Sequence, residues 1–216
     1  MVCGCGVCVC VGVCALLYML SYGRVRPFKG HPLNASWEAV KELESIGLHI
    51  DGFDLVIKDI PVLYKEVSEM VPSLWKEHDP VLVIHVGVDG GGKAVTLEEC
   101  AVNIGHDTLD VERKLPPYGC CVEGGCADLH CKMDLDDVCK RCADQASSDG
   151  LKVVFRTSHD AGRYLCNFSY YCSLSLDKAP SLFVHVPPLS KPFSCNELAQ
   201  ALRLVVRSCL QASGQL

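Results

Sequence analysis

The sequence predicts a single α/β domain built around a mostly parallel central sheet. The chain has 216 residues, a length that suits one domain with a sizeable core. Strand-like and helix-like segments alternate along it, which is typical of parallel α/β folds. The segment PVLVIHVGV, at residues 80–88, is a near-continuous apolar run of the kind that forms a strand buried on both faces.

Charge and cysteine content narrow the class of protein further. A formal net charge of -6, spread without a basic patch, argues against a nucleic-acid partner. Sixteen cysteines would indicate a disulfide scaffold in a short secreted chain, but this chain is too long and too rich in α/β patterning for that class. We therefore predict mostly reduced thiols and a cytosolic location.

Residues 1–22 form an atypical leader rich in Cys and Val, and we place the α/β domain at residues 23–216. The leader, MVCGCGVCVCVGVCALLYMLSY, has no charged residue and allows three interpretations. It is a disordered low-complexity segment, a membrane segment followed by Arg24 and Arg26, or a substitute first strand centred on LLYMLSY. The first interpretation is preferred, so a membrane partner is not expected.

The segments after the leader justify the fold class one by one. Asn34 is predicted to cap a helix that ends near Gly47, and residues 53–57 are predicted to form a strand. The segment Tyr64–His78 has helical periodicity, and Pro72 is expected to open a second short helix within it.

Beyond the strand at 80–88, residues 103–133 are predicted to be irregular because Gly, Pro, Cys and polar residues dominate them. Helix and strand then alternate again to the end of the chain. The remaining predicted elements are a helix at 135–147, a strand at 152–155, a helix containing Cys166, a strand containing His185, and an amphipathic helix at 195–210.

Cys166 is a candidate nucleophile. A thiolate attacks where a thiol barely does, so a catalytic cysteine needs a helix N-terminus or a cation beside it. We predict that Asp160 caps the helix, which places Cys166 in the second turn, near backbone N–H groups that stabilise an oxyanion. The alternative is a small buried hydrophobic residue on an inner helical face.

His185 is a candidate general base. It is the only polar residue of LFVHVPP and stands where the strand is about to end, at the edge of the sheet where α/β active sites form. A hydrogen-bonded core histidine is the alternative. His85, in VIHVG, competes for the role of base, but its internal strand position favours a structural role.

An acidic residue in AVTLEEC is a candidate third member of a catalytic triad, because it would orient the imidazole and stabilise its charged form. Spacing leaves Glu98 and Glu99 as alternatives. Only the alternation in VTLE hints that Glu98 faces away from Leu97.

Two other motifs do not predict a site. The loop DGGGK at residues 89–93 lacks the spacing of a phosphate-binding P-loop. A zinc site is also not predicted, because the C-x-x-C pair lies in an apparent helix and no second pair accompanies it. The zinc ligands considered were Cys126, His130, Cys131, Cys139 and Cys142.

Several segments together resemble the pyroglutamyl-peptidase I family of cytosolic cysteine peptidases. These segments are HVGV with its glycine loop, VTLEEC, DAGRYLCNFSYY and FVHVPPLSKP. The resemblance extends from about Pro27 to Leu210 and is closer to vertebrate than to bacterial members.

The resemblance implies a three-layer α/β/α sandwich with no metal or organic cofactor, and a peptide substrate with N-terminal pyroglutamate. It places the family's nucleophile on Cys166, its general base on His185 and its acidic residue on Glu98, and so favours Glu98 over Glu99. The implied reaction passes through an acyl-enzyme on Cys166.

The chain departs from the family in one loop, where GRVRPFK at residues 23–29 stands against the family's T-G-F-G-P-F-G. Phe28 matches the second aromatic residue of the substrate pocket, whereas Val25 replaces the first, and Arg24 and Arg26 replace the glycines beside it. Loss of the stacking ring costs about 1–2 kcal/mol of contact. An alternative function is therefore a catalytically weak or inactive pseudo-enzyme that binds N-terminally blocked peptides.

Overall fold

The structure is a computed structural model that describes residues 13–20 and 34–216. Within these residues, helices pack on both faces of a central sheet. The strands are β1 (Val13–Leu20), β2 (Phe53–Ile60), β3 (Leu82–Val88), β4 (Val95–Glu98), β5 (Cys100–Val102), β6 (Asp128–His130), β7 (Phe155–Ser158) and β8 (Ser181–Val186). The helices are α1 (Ala35–Ile46), α2 (Tyr64–His78), α3 (Leu135–Ser148), α4 (Leu165–Leu176) and α5 (Cys195–Ala212).

Six of these strands form the central sheet, in the order β2-β1-β3-β8-β4-β7. The first four run parallel to one another, β4 pairs antiparallel with β8, and β7 runs parallel to β4. The sheet is mostly parallel, as predicted. Strands β5 and β6 form a separate two-stranded antiparallel sheet.

Two hydrophobic cores divide the molecule into three layers. Alternate residues of β3 point to opposite faces, so Leu82, Ile84 and Val86 pack with α1, α3 and α5, whereas Val83 packs with α2 and α4. The apolar stripe of α5 contains Leu198, which is fully buried in the first of these cores. This arrangement confirms the predicted α/β/α sandwich.

The leader contributes one strand to this sheet. Strand β1 lies between β2 and β3 and pairs in parallel with both, with Val13 opposite Phe53 and Ala15 opposite Leu82. It begins upstream of LLYMLSY. The other leader residues lie outside the described part of the chain, so the domain boundary at residue 23 stays a prediction. No helix among the described residues is long and apolar enough to cross a membrane.

Helix boundaries follow local capping chemistry where the sequence predicted it. The Asn34 side chain accepts hydrogen bonds from Ser36 N and Trp37 N at the start of α1, and Gly47 ends that helix with a φ of 73°. Both predictions are confirmed. The helix predicted at 135–147 is also present, as α3.

Two predictions about elements are wrong. Helix α2 continues through Pro72, which is exposed, because burial of Val71 and Trp75 on the other side of the helix outweighs the missing backbone hydrogen bond. The strand predicted at 152–155 instead covers Phe155–Ser158, where it pairs with β4. The segment 103–133 consists mostly of turns and loops, as predicted, and contains the three-residue strand β6 and a short 3-10 turn.

Candidate active site

Cys166 lies in the first turn of α4, not in the second turn as predicted. The helix begins at Leu165, with Tyr164 as its N-cap, while the Asp160 side chain accepts from Gly162 N within the preceding turn. Asp160 is therefore not the cap. The thiol therefore lies closer to the N-terminal end of the helix than predicted. At this end, backbone N–H groups have no intrahelical partner and the helix dipole favours a negative charge.

His185 and Glu98 come together at the contact between β8 and β4. In this antiparallel pair Phe183 stands opposite Glu98 and His185 opposite Thr96, which places the imidazole diagonal to the carboxylate. His185 Nδ1 lies 2.7 Å from Glu98 Oε1. The side chains are 12% and 3% exposed respectively, so water screens this pair weakly.

The same imidazole hydrogen-bonds the Cys166 side chain. Since Glu98 engages Nδ1, Nε2 is the ring nitrogen left for the thiol. Burial lowers the pKa of His185, but hydrogen bonds to Cys166 and Glu98 and the negative charges of both outweigh burial and raise that pKa to about 10. The site therefore favours the protonated, imidazolium form of His185.

A glycine makes room for this arrangement. Gly87 is the register partner of His185 across the β3–β8 pair. A Cβ at Gly87 would lie 2.8 Å from Phe183 Cζ and 3.1 Å from Cys166 Sγ. The Phe183 ring in turn packs against the imidazole of His185, with ring centroids 4.7 Å apart. A side chain at position 87 would displace both groups.

The two rival residues from the sequence lie elsewhere. His85 is fully buried within β3, its Nε2 lies 2.7 Å from Ser173 Oγ, and burial lowers its pKa to about 3. It is thus a neutral core histidine. Glu99 points away from His185, pairs with His159 Nδ1 at 3.3 Å and lines a separate cavity with Asp134.

Asn167, the residue that follows the candidate nucleophile, was not predicted from the sequence to have a role in the site. Its buried side-chain amide accepts from Val102 N at 2.9 Å and donates to Val102 O at 2.7 Å. It also lies 2.9 Å from Nε2 of the buried His106, whose pKa burial lowers. Asn167 thereby joins the first turn of α4 to the last residue of β5 and to the segment that follows it. Its polarity within the apolar stretch YLCNF was the available signal.

The other residues considered in the sequence are Phe28, the possible metal ligands and the remaining cysteines. Phe28 lies outside the described residues and stays a prediction. Among the residues that the structure describes, no group of three or more His, Cys, Asp or Glu side chains is arranged to hold a metal ion. The eleven cysteines between residues 34 and 216 form no disulfide bond with one another.

Comparison with known proteins agrees with the resemblance seen in the sequence. The family model for pyroglutamyl peptidase matches residues 20–197. Pyroglutamyl-peptidase 1 of Rattus norvegicus is 46% identical over 194 residues, which cover 88% of this chain and 90% of the relative. The pyroglutamyl-peptidase 1-like protein of Homo sapiens is 36% identical over 178 residues, covering 81% and 86%.

A solved structure of a mutant pyrrolidone carboxyl peptidase from Pyrococcus furiosus has the same fold. Its TM-score is 0.78 at 22% identity, and the match covers 92% of this chain and 99% of that one. The fold and the sequence matches together confirm the family prediction. The chain belongs to the pyroglutamyl peptidase family.

Proposed function

We propose that this protein is a cysteine-type omega peptidase that hydrolyses the bond after an N-terminal pyroglutamate in peptides. The observation that supports this most directly is the series of contacts from Glu98 through His185 to Cys166. Nucleophile, base and orienting carboxylate are the three groups that acyl transfer by a thiol requires. Membership of the pyroglutamyl peptidase family supplies the substrate class.

The first half-reaction forms an acyl-enzyme. The Cys166 thiolate attacks the pyroglutamyl carbonyl carbon, and the resulting oxyanion is stabilised by backbone N–H groups in the first turn of α4. The His185 imidazolium then donates its proton to the nitrogen of the departing peptide as the C–N bond breaks. A thioester on Cys166 and a peptide with a free amino terminus result.

The second half-reaction releases pyroglutamate. His185, now neutral, takes a proton from water, and the hydroxide attacks the thioester carbonyl. Collapse of that intermediate breaks the C–S bond and restores the thiolate beside the imidazolium. Glu98 keeps its contact with Nδ1 throughout, so Nε2 faces the reacting atoms in both steps.

Location and partners follow from the same observations. Eleven cysteines between residues 34 and 216 that form no disulfide bond with one another fit a reducing compartment, so we place the protein in the cytosol. The partner is the peptide substrate, and Phe28 is the proposed contact for its lactam ring. The net charge of -6 offers no basis for a nucleic-acid partner.

The test is hydrolysis of pyroglutamyl-aminomethylcoumarin by the full chain and two alanine variants. Cys166→Ala is expected to lower kcat at least about 10³-fold, the scale of losing a catalytic nucleophile. Cys172→Ala is the matched control, since Cys172 is a second buried cysteine on α4, and it should retain activity. Folded wild-type protein without turnover, or equal activity in Cys166→Ala, would overturn the proposal. Binding of a pyroglutamyl peptide without turnover would favour the pseudo-enzyme instead.

A further inference from the structure

Among the described residues, the Glu98 carboxylate has few hydrogen bonds that fix its position. Its Oε1 contacts His185, but its Oε2 is buried with no hydrogen-bond partner among the described residues. A carboxylate that orients an imidazole usually has further partners that fix its position. Glu98 is the last residue of β4, so the contacts of its backbone help to fix where the carboxylate lies.

The Tyr170 phenol supplies that backbone contact. Tyr170 is fully buried in α4, and its hydroxyl donates to the Glu98 carbonyl oxygen at 2.9 Å. Burial raises the phenol pKa well above its ordinary value, so the hydroxyl keeps its proton at any working pH. The Cys131 side chain hydrogen-bonds the same phenol, and Cys131 N donates to Glu99 O at 2.8 Å. Two hydrogen bonds, one from Tyr170 to Glu98 O and one from Cys131 N to Glu99 O, thus hold the backbone at the end of β4.

The helix connects this contact to the nucleophile. Tyr170 follows Cys166 by four residues, and residues four apart lie on the same face of a helix. Both side chains therefore face the sheet from α4. The first turn of α4 places Cys166 beside Nε2 of His185. One turn later, the Tyr170 hydroxyl binds the backbone of Glu98, whose carboxylate contacts Nδ1 of the same imidazole.

We propose that Tyr170 is a positioning residue, whose phenol holds the Glu98 peptide so that the Glu98 carboxylate stays on His185. The inference rests on the proposed function, and it adds a fourth side chain to the three that perform the reaction. Tyr170 does not touch the reacting atoms. Its loss should therefore weaken the Glu98–His185 contact and leave the binding of substrate unchanged.

The test compares Tyr170→Phe with Tyr171→Phe. Tyr171 is an equally buried neighbour on α4 whose hydroxyl donates to a backbone carbonyl, that of Cys126, at 2.7 Å. Tyr171→Phe removes the hydrogen bond to Cys126 O, whereas Tyr170→Phe removes the bonds to Glu98 O and to Cys131. Urea denaturation of both variants therefore measures the loss of folding stability separately from the loss of activity. Tyr170→Phe is expected to lower kcat about 10-fold with KM unchanged, because small misplacements of catalytic groups are costly. Tyr171→Phe should keep the wild-type kcat.

A second measurement does not depend on peptidase activity. The rate at which iodoacetamide alkylates Cys166 is followed against pH by mass spectrometry. A weaker Glu98–His185 contact destabilises the imidazolium, so fewer thiolates form near neutral pH, and the rise in alkylation rate moves to higher pH in Tyr170→Phe. Tyr171→Phe should follow the wild-type profile.

The outcomes separate the two proposals. Absence of turnover in wild type would overturn the proposed function, and the alkylation profiles would still decide the role of Tyr170. Superimposed alkylation profiles for wild type and Tyr170→Phe, or equal shifts in both Phe variants, would overturn the role of Tyr170. A shift confined to Tyr170→Phe would support it.

Discussion

At the scale of single residues, two adjacent carboxylates differ in the side chains that they contact. Glu98 is buried and contacts the His185 imidazole, whereas Glu99 follows the end of the strand and pairs with His159. The two residues have the same chemistry and are neighbours in sequence. They therefore offer a controlled test of whether the contact with His185 matters.

We expect Glu98→Gln to lower kcat about 10²–10⁴-fold, by analogy with loss of the orienting carboxylate in a serine triad. The amide cannot stabilise an imidazolium as a carboxylate does. Glu99→Gln should leave kcat close to wild type. Steady-state hydrolysis of a pyroglutamyl substrate measures both variants, and similar losses in the two would contradict the assignment of Glu98.

The raised pKa of His185 predicts how stability changes with pH. The folded state holds this proton up to about pH 10, whereas the ordinary imidazole pKa is 6.5. Between these values the folded chain binds more protons than the unfolded chain, so the free energy of unfolding from this group falls as pH rises. Its contribution is fully present below about pH 6.5 and lost as pH approaches 10.

Urea denaturation between pH 6 and 10 measures this dependence. Cys166→Ala removes one of the two partners that raise the pKa, so its stability should fall less over the same range than that of wild type. An identical slope in the variant would show that the thiolate does not stabilise the imidazolium.

Sequence predicted the three candidate residues but not how they are held. Spacing left Glu98 and Glu99 open, because alternation gives the face of a strand and not the element that packs against it. Tyr170 gave no signal, since an aromatic residue in SYYCSL is typical of a core position. Its contact with the Glu98 carbonyl depends on how α4 lies across the sheet, a long-range property.

At the scale of elements, the approach of α4 to β3 determines where the thiol lies. Gly87 is the point of closest approach, and the space above it is filled by Phe183 and Cys166. Glycine is required here because of this contact and not because of its backbone angles.

Gly87→Ala is expected to lower both stability and activity, because its Cβ would lie 2.8 Å from Phe183 Cζ and 3.1 Å from Cys166 Sγ. Overpacking of this kind costs about 1–3 kcal/mol. Gly90→Ala is the control, since nothing lies within 4 Å of a Cβ there. Urea denaturation and kcat should separate the two variants, and a fully active Gly87→Ala would contradict the described packing.

Element boundaries were predicted where capping chemistry is local and missed where packing decides. Asn34 and Gly47 bound α1 because side-chain capping and a positive φ are properties of the residues themselves. Asp160 had the chemistry of a cap, but its carboxylate closes a turn onto Gly162 instead. Pro72 had the chemistry of a helix start, yet α2 continues through it because its inner face is buried on both sides of the proline.

At the scale of the whole molecule, the family resemblance implied the three layers. The alternation of helix and strand predicted an α/β domain with a mostly parallel sheet. It could not predict that β4 and β7 run opposite to the other strands of the sheet, because direction depends on how the connecting segments cross. That reversal matters for the site. It brings the end of β4, with Glu98, alongside β8 and its histidine.

The loop at residues 23–29 is where the sequence departs from its family, and these residues lie outside the described part of the chain. Restoring the family pattern with Arg24→Gly, Val25→Phe and Arg26→Gly should lower KM and raise kcat/KM. A regained stacking contact of about 1–2 kcal/mol corresponds to about 5–30-fold. Steady-state kinetics on the same substrate measures it, and an unchanged kcat/KM would show that this loop does not limit activity.

The central claim is that Cys166 becomes acylated by a pyroglutamyl group during turnover. Acid quenching during hydrolysis of a pyroglutamyl ester, followed by mass spectrometry of the digested protein, tests it directly because a thioester survives acid. We predict one added pyroglutamyl group on the peptide that contains Cys166, and none in Cys166→Ala. Turnover with no adduct on Cys166, or with the adduct on another cysteine, would contradict the account.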